Sequence, residues 1–365
     1  MKASGTVRAM RDADFPQLLA LYEHVSGCPK GTKSEQLSSH LKRIFIDNPW
    51  RDDALPSLVV EQADGSLSGC LGVVPRPMIF AGKEILTASS HSFLMAPESR
   101  AGLSAIELVR VFLSGPQELS LCQGETTSAR IWQLFGGKIS QIYSLGWIRP
   151  VRPASHILSF LNKRGVPDFI VFLFKPLGMA TDAAAYHLAP ATFKFHKPDV
   201  TGVDLDVDQV LAAMPRIVKS KQLYPLYNVD TLTWLLHTMQ MNPARGTLRK
   251  VLVSDGADVL GWYLYYMRDG ITADVAQIAA TSSTVARVFD HLLWQAHQDG
   301  AIAASGQVDP VLFDTLSARD CLLRNPEPRW LLMHSKNPAL PTAINNGQAF
   351  LSRMEAEWWI SELLR

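Results

Sequence analysis

The sequence predicts an α/β protein of the α+β kind, built as two tandem units, each a mixed, mostly antiparallel sheet flanked by helices. Three observations carry that expectation. Around residues 57–74 the run SLVVEQADGSLSGCLGVV sets an Asp64-Gly65 turn between two apolar stretches, the strongest short-range hairpin signal. The same figure returns in KVLVSDGADVLGWYLYYM, from Lys250 to Met267, with its turn at Asp255-Gly256 and Gly261 standing 192 residues after Gly69. The flanking elements also recur in one order, at an offset that drifts from about 194 to 183 as loop lengths differ.

Helical periodicity precedes each hairpin, over Asp14 to Val25 and Ser34 to Phe45 in the first half and over Asp208 to Lys219 and Asp230 to Met239 in the second. Turns at Ala81-Gly82-Lys83 and Arg268-Asp269-Gly270 then lead into long strands, Ile85 to Met95 and Ile271 to Thr281. A mostly buried helix follows each strand. Its thin polar stripe is Ser104, Glu107, Arg110 and Ser114 in one copy and Thr284, Arg287 and Asp290 in the other. Each half closes with a short strand (Leu119 to Cys122; Ala301 to Ser305), a helix (about Thr126 to Phe135; about Asp309 to Ala318) and a last strand near Trp147 or Trp330. The expected division is residues 1–153, a Pro-rich and apolar irregular linker over 154–206 packed on the domains, and residues 207–365.

Composition narrows the function. The 365 residues are 47% hydrophobic and 19% charged, enough to bury a sizeable core. Thirty-five Lys+Arg against 34 Asp+Glu leave a net charge of +1, so neither nucleic acid nor an anionic membrane is implied as a partner. Charge at Lys2 and Arg8 breaks up any secretory core, and the apolar run Phe169 to Phe174 is far short of the roughly 20 residues of a membrane span; a cytoplasmic setting is expected. The four cysteines form no CxxC pair, and HExxH, GxSxG and GxxxxGKS/T are all missing. No metal is expected.

The most informative loop lies where the strand SHSFLMAP runs through Glu98-Ser99-Arg100-Ala101-Gly102-Leu103-Ser104-Ala105 into a helix. Such a turn exposes the first backbone N–H groups of the helix, which with its dipole attract a pyrophosphate. Arg100 would add a charge-assisted contact. The plainer reading makes Ser99 or Ser104 a helix cap and Arg100 a solvated charge.

These residues resemble the GNAT acyltransferases, whose pattern here is roughly Val-x-Pro-x-x-Arg-Gly-x-Gly-x-Gly/Ala. Met95, Pro97, Arg100, Gly102 and Ala105 supply most of it, while Ala101 replaces a glycine and Gly102 falls one place out of register. The opening from Val7-Arg8 to Tyr22, with Asp12, Asp14 and Phe15, looks like the first strand and helix of such proteins. The resemblance covers about residues 6–150. It implies acetyl-CoA or another acyl-CoA as co-substrate, with its pyrophosphate on Arg100, Ala101, Gly102, Leu103, Ser104 and Ala105 and its pantetheine along the backbone of Phe93, Leu94 and Met95. The second copy has only Ser282, Ser283 and Thr284 between Thr281 and Val285, with neither Arg nor Gly. It is expected to have lost the cofactor and to help shape an acceptor cleft between the halves.

Acyl transfer needs a base for the nucleophile, a donor for the thioester oxygen and an acid for the thiolate. Strand alternation puts Ser89, His91, Phe93 and Met95 on one face. A family carboxylate base would fall close to Ser89, and His91 beside it is the candidate base, with an ordinary pKa near 6.5; a strand histidine of this kind also serves as core. Where the family often has a tyrosine acid, this chain has Trp132, which cannot donate a proton at neutral pH, and Tyr143 lies nearby in sequence. Glu355-Ala356-Glu357-Trp358-Trp359 suits either an acceptor cleft or a docked terminal element, and Asp204-Leu205-Asp206-Val207-Asp208 is favoured as an acidic helix start. The resulting expectation is an acyltransferase moving an acetyl or other acyl group from acyl-CoA to an amine or hydroxyl of a small-molecule or sugar-derived acceptor by direct attack. The alternatives are a Fem-like aminoacyl transferase using aminoacyl-tRNA, which the neutral charge disfavours, and a non-catalytic binding module.

Overall fold

From the N-terminus the chain forms β1 (Thr6–Ala9), α1 (Phe15–Ser26), α2 (Thr32–Phe45), the hairpin of β2 (Leu58–Glu61) and β3 (Leu67–Phe80), and the long β4 (Lys83–Met95). The computed structural model describes residues 5–26, 32–99, 103–188, 195–268, 271–324 and 329–356. Next come α3 (Ser104–Leu113), β5 (Leu119–Gly124), α4 (Thr126–Leu134), β6 (Lys138–Ser140), α5 (Gln141–Ser144), β7 (Gly146–Pro150), α6 (Pro153–Lys163) and α7 (Asp168–Leu188). The second half runs β8 (Thr201–Asp204), α8 (Val207–Ile217), β9 (Leu223–Pro225), α9 (Val229–Gln240), β10 (Thr247–Asp255), β11 (Asp258–Arg268), β12 (Thr272–Ala280) and α10 (Val285–Gln298). It ends with β13 (Ala303–Gln307), α11 (Phe313–Ala318), β14 (Leu322–Arg324), β15 (Trp330–His334) and α12 (Ala339–Asn345). Both hairpins turn where the sequence expects, with Gly65 at φ 81° and Gly256 at φ 56°, a region that glycine enters without the clash a Cβ would bring.

The elements gather into two compact units, one of residues 1–144, 220–244 and 327–365, the other of residues 145–219 and 245–326. The first is an eight-stranded sheet in the order β1-β2-β3-β4-β5-β15-β6, with β9 added on β3. One face buries Leu71, Val73 and Ala88 against Leu108, Val109 and Phe112 of α3 and Trp132 of α4. The other carries α1, packed on β3 and β4, and α2, whose Leu37, Leu41 and Phe45 are buried. Arg8 on β1 holds Asp14 before α1 at 2.6 Å and Glu61 on β2 at 2.6 Å, which explains the charged opening read in the sequence. The guanidinium holds both carboxyls below the usual carboxylate range.

The second unit is a seven-stranded sheet in the order β14-β7-β13-β12-β11-β10-β8. Here α10 packs on β11, β12 and β13 and buries Val288, Phe289, Leu292 and Ala296, with Phe289 edge-on to Trp147 at 5.1 Å. Asp206 caps α8 by accepting from Gln209 N at 2.8 Å, the acidic helix start that the sequence favours.

Two features depart from the sequence reading. The 1–153 and 207–365 division follows the repeat, whereas the compact units trade their closing strands. The strand at Trp147, β7, lies between β13 and β14 of the second sheet, and the strand at Trp330, β15, lies between β5 and β6 of the first. Much of residues 154–206 is regular as well: Pro153 starts α6 at its first position, α7 runs through Pro176, and β8 pairs with β10, while the described residues 195–200 are irregular. These helices escape periodicity because apolar residues lie on both their packed and their solvent faces, so no single stripe marks them.

Candidate functional site

The site is built on an interruption in β4. In the ladder with β3, Cys70 pairs with Leu94 but Gly72 pairs with His91, so Ser92 and Phe93 together oppose Leu71. Ser92 takes up the bulge at φ 52°. A bulge reverses the alternation beyond it. Ala88 and Leu86 pack with α3 on one side of the sheet, as do Phe93 and Met95 past the bulge, while His91 meets Phe45 of α2 on the other, ring centroids 5.1 Å apart. The expected common face of Ser89, His91, Phe93 and Met95 is therefore corrected: the first two and the last two lie on opposite faces. Two glycines on β3 make the room, since a Cβ on Gly72 would fall 2.5 Å from His91 Nε2 and one on Gly69 would fall 2.5 Å from Met95 Sδ.

His91 is 1% exposed. Its Nδ1 lies 2.9 Å from Ser92 Oγ, and burial, with a smaller contribution from His40, pushes the imidazole down to about 3. That corrects the expected pKa near 6.5, because removing the ring from water penalises its charged form. His91 is neutral at physiological pH. Its Nε2 and the hydroxyls of Ser89 and Ser90 are buried without hydrogen-bond partners.

Ser89 also marks a fork. The parallel strands β4 and β5 pair only from Thr87 with Leu119 to Ser89 with Leu121; beyond that, β5 pairs on its other edge with β15 through Cys122, Gln123 and Gly124. Along the β5 side of Ser90–Met95 no strand is paired among the described residues. Phe93 and Leu94 are half-buried there and Met95 is buried. The chain then passes a short turn, Pro97–Ser99, and enters α3, whose Ser104 and Ala105 are buried and whose N-cap Leu103 is 74% exposed with no side-chain cap. Arg100, Ala101 and Gly102 lie outside the described residues. On the solvent face of α3, Glu107 and Arg110 pair with each other at 2.5 Å.

At the corresponding junction of the second unit, Thr284 before α10 likewise gives the helix no side-chain cap, and its hydroxyl ties the turn to β11 instead. Thr281 N donates to Thr284 Oγ1 at 3.2 Å, and Thr284 Oγ1 donates to Leu260 O at 2.8 Å. A neighbouring buried pair, Tyr263 Oη and His291 Nδ1, lies 2.8 Å apart.

The remaining candidates take structural positions. Trp132 is 3% exposed and packs on Phe112 at 6.0 Å. Tyr143 is buried and donates its hydroxyl proton to Ala349 O at 2.7 Å, so it is held away from solvent. Glu355 is buried, accepting from Ser352 N at 2.6 Å and from Tyr227 Oη, as a docked terminal segment requires; Glu357, Trp358 and Trp359 lie outside the described residues. The sequence reading missed Arg76, whose buried guanidinium lies 4.2 Å over Trp50 and donates to Met354 O at 2.9 Å. It also missed a cleft of about 760 Å³ in the first unit, lined by Trp50, Asp52, Asp53, Glu84, Asn228 and Thr231 among others. The only sequence signal there was an arginine between two prolines in a strand. Among the described residues no group of three or more His, Cys, Asp or Glu comes together as a metal site, and no helix is long and apolar enough to cross a membrane.

No family model matches the chain, and no curated protein matches it in sequence. Solved structures do. A GCN5-related N-acetyltransferase from Anabaena variabilis superposes with a TM-score of 0.58 at 14% identity, over 90% of this chain and 72% of that one. A probable N-acyltransferase from Enterococcus faecalis, described as a conserved protein of unknown function, gives 0.56 at 11% identity over 91% and 72%. N-myristoyltransferase from Saccharomyces cerevisiae, solved with bound myristoyl-CoA and inhibitors, gives 0.52 at 10% identity over 92% and 80%. At such identities the likeness speaks for architecture, and the chain has the tandem GNAT fold.

Proposed function

We propose that the chain is an acyltransferase that takes an acyl-CoA on its first unit and passes the acyl group to an amine or hydroxyl. The fork at Ser89 carries this reading: among the described residues it leaves one edge of a bulged strand without a strand partner, and the chain leads within a few residues to a helix start with no side-chain cap. In the proposed complex the pantetheine amides pair along Phe93, Leu94 and Met95, and the pyrophosphate rests on the first turn at Leu103, Ser104 and Ala105 with Arg100, Ala101 and Gly102. Acyl-CoA supplies a thioester whose carbonyl carbon the acceptor attacks; the new C–N or C–O bond forms as the C–S bond breaks.

Ser89 sits where the strands part, and its unpartnered hydroxyl is the donor assigned to the thioester oxygen. His91 is assigned a positioning role through Ser92 and the bulge, because a ring held neutral down to about 3 is too weak a base for an amine. The acceptor's proton leaves to water, and the thiolate recovers one from water, since Trp132 has no acidic proton to give. Acetyl-CoA and longer acyl-CoA esters are both admitted.

A second reading, a CoA-binding module without turnover, is favoured by the buried Trp132 and the neutral His91. Calorimetric titration with acetyl-CoA and longer acyl-CoA esters, on wild type and on Arg100→Ala, tests the shared step, and release of free thiol in the presence of amines tests the second. Binding that weakens in Arg100→Ala together with thiol release supports the transferase. Binding alone supports the module, and no heat with any ester removes both.

A further inference from the structure

The apolar run Phe169 to Phe174 finds no use in the acyl-transfer reading, and the structure places it on the surface. Helices α6 and α7 form a hairpin. Its base is fixed by Asp182, which accepts from Ala154 N at 2.8 Å and from Ser155 N at 3.0 Å, and by Gly178, where a Cβ would fall 2.6 Å from Leu158 Cδ1. The opposite side of each helix points outward. On α7, Phe169, Phe172, Leu173, Leu177 and Met179 are all more than 60% exposed, and at 3.6 residues per turn they spread over roughly 160° of its circumference. On α6, Ile157, Phe160 and Leu161 are exposed at the i, i+3, i+4 spacing of one face. This inverts the usual surface helix, whose apolar stripe faces the core.

Charge at the same end is basic. The two helices and their turn, residues 153–188, hold Lys163, Arg164 and Lys175 against Asp168 and Asp182, and Asp182 is taken up at the base by Ala154 and Ser155. Arg164, in the turn between the helices, lies 4.7 Å over the exposed Phe160 ring, and Lys175 is exposed among the phenylalanines. Large exposed apolar side chains around nearly half of a helix, with cations at their level and no span long enough to cross, are what an interfacial helix presents to a bilayer. A folded protein partner would cover one flat side, whereas acyl chains surround an inserted ridge.

We propose that the α6–α7 hairpin is a peripheral membrane anchor: Phe169, Phe172, Leu173 and Leu177 enter the acyl region of an anionic bilayer, and Arg164 and Lys175 meet its phosphates. This revises the expectation, drawn from net charge, that no membrane is involved. A whole-chain charge of +1 does not report a local basic and apolar tip.

The test uses the full chain and flotation with phosphatidylcholine vesicles, with and without about one third phosphatidylglycerol. Wild type is expected to float with the anionic vesicles, less with the neutral ones. Phe172→Glu with Leu173→Glu is expected to lower the bound fraction about tenfold at an unchanged melting temperature, since both side chains are exposed. Arg164→Glu with Lys175→Glu is expected to remove the preference for the anionic lipid. Failure of wild type to float, or equal flotation of the Phe172/Leu173 variant, overturns the proposal. So does sedimentation showing a dimer that this variant dissociates, which would make a second copy the cover of the face.

Discussion

The ring of His91 occupies the space over Gly72, so that a Cβ on residue 72 would fall 2.5 Å from Nε2 and 2.6 Å from Nδ1. A methyl group there forces either the ring or the bulge to move. Gly72→Ala is expected to cost about 1–3 kcal/mol, the usual range for overpacking a core, read by urea unfolding. Adding His91→Ala should recover part of that loss; a Gly72→Ala chain as stable as wild type would show that the ring shifts freely.

Because burial pushes His91 down to about 3, the unfolded chain binds a proton there near pH 6.5 while the folded chain does not. The stability tied to the neutral ring is therefore full above about pH 6.5 and declines as the pH falls toward 3, by up to ~1.4 kcal/mol per pH unit. Unfolding free energies of wild type and His91→Gln between pH 7 and pH 4.5 should diverge in slope by an amount of this order. Parallel slopes would mean that His91 titrates normally in the folded state.

Leu103 stands exposed at the start of α3, so its replacement leaves the core untouched. Leu103→Asp sets a negative charge beside the first-turn amides and is expected to weaken acyl-CoA binding about tenfold at low salt and less at high salt. Calorimetry at two ionic strengths checks this. Unchanged affinity would move the pyrophosphate elsewhere.

Tyr143 donates to Ala349 O, and its hydroxyl is committed to the backbone of the C-terminal segment. Tyr143→Phe should lower stability by about 1 kcal/mol, the net worth of one such bond plus its stranded carbonyl, read as a shift in the urea midpoint. It should leave the pH profile of thiol release where it was. A lost alkaline or acidic limb would instead return the tyrosine to the chemistry.

The hairpins, the long strands and the buried helices were legible because each is specified locally: Asp64-Gly65 and Asp255-Gly256 demand a turn, and the apolar spacing of α3 demands one buried face. The bulge at Ser92 was not, since nothing but the glycines at 69 and 72 hints that β3 and β4 differ in length, and one shifted residue sent Met95 to the face opposite His91. Environment was equally hidden. Tyr143 lies near the family's acid position in the sequence and is enclosed by packing, as is Trp132, while Arg76 and Trp50 stack through a contact between residues distant in the chain. The α6–α7 hairpin was lost because its outward apolar residues obscure the very periodicity that reveals a helix.

The trade of β7 and β15 has a consequence for assembly. A chain consisting of either half alone would carry a last strand with no slot beside it and a slot with no strand, a shape completed only by a second copy offering the reciprocal strand. The present sequence joins the two reciprocal halves covalently, which turns an association governed by concentration into one that is intramolecular.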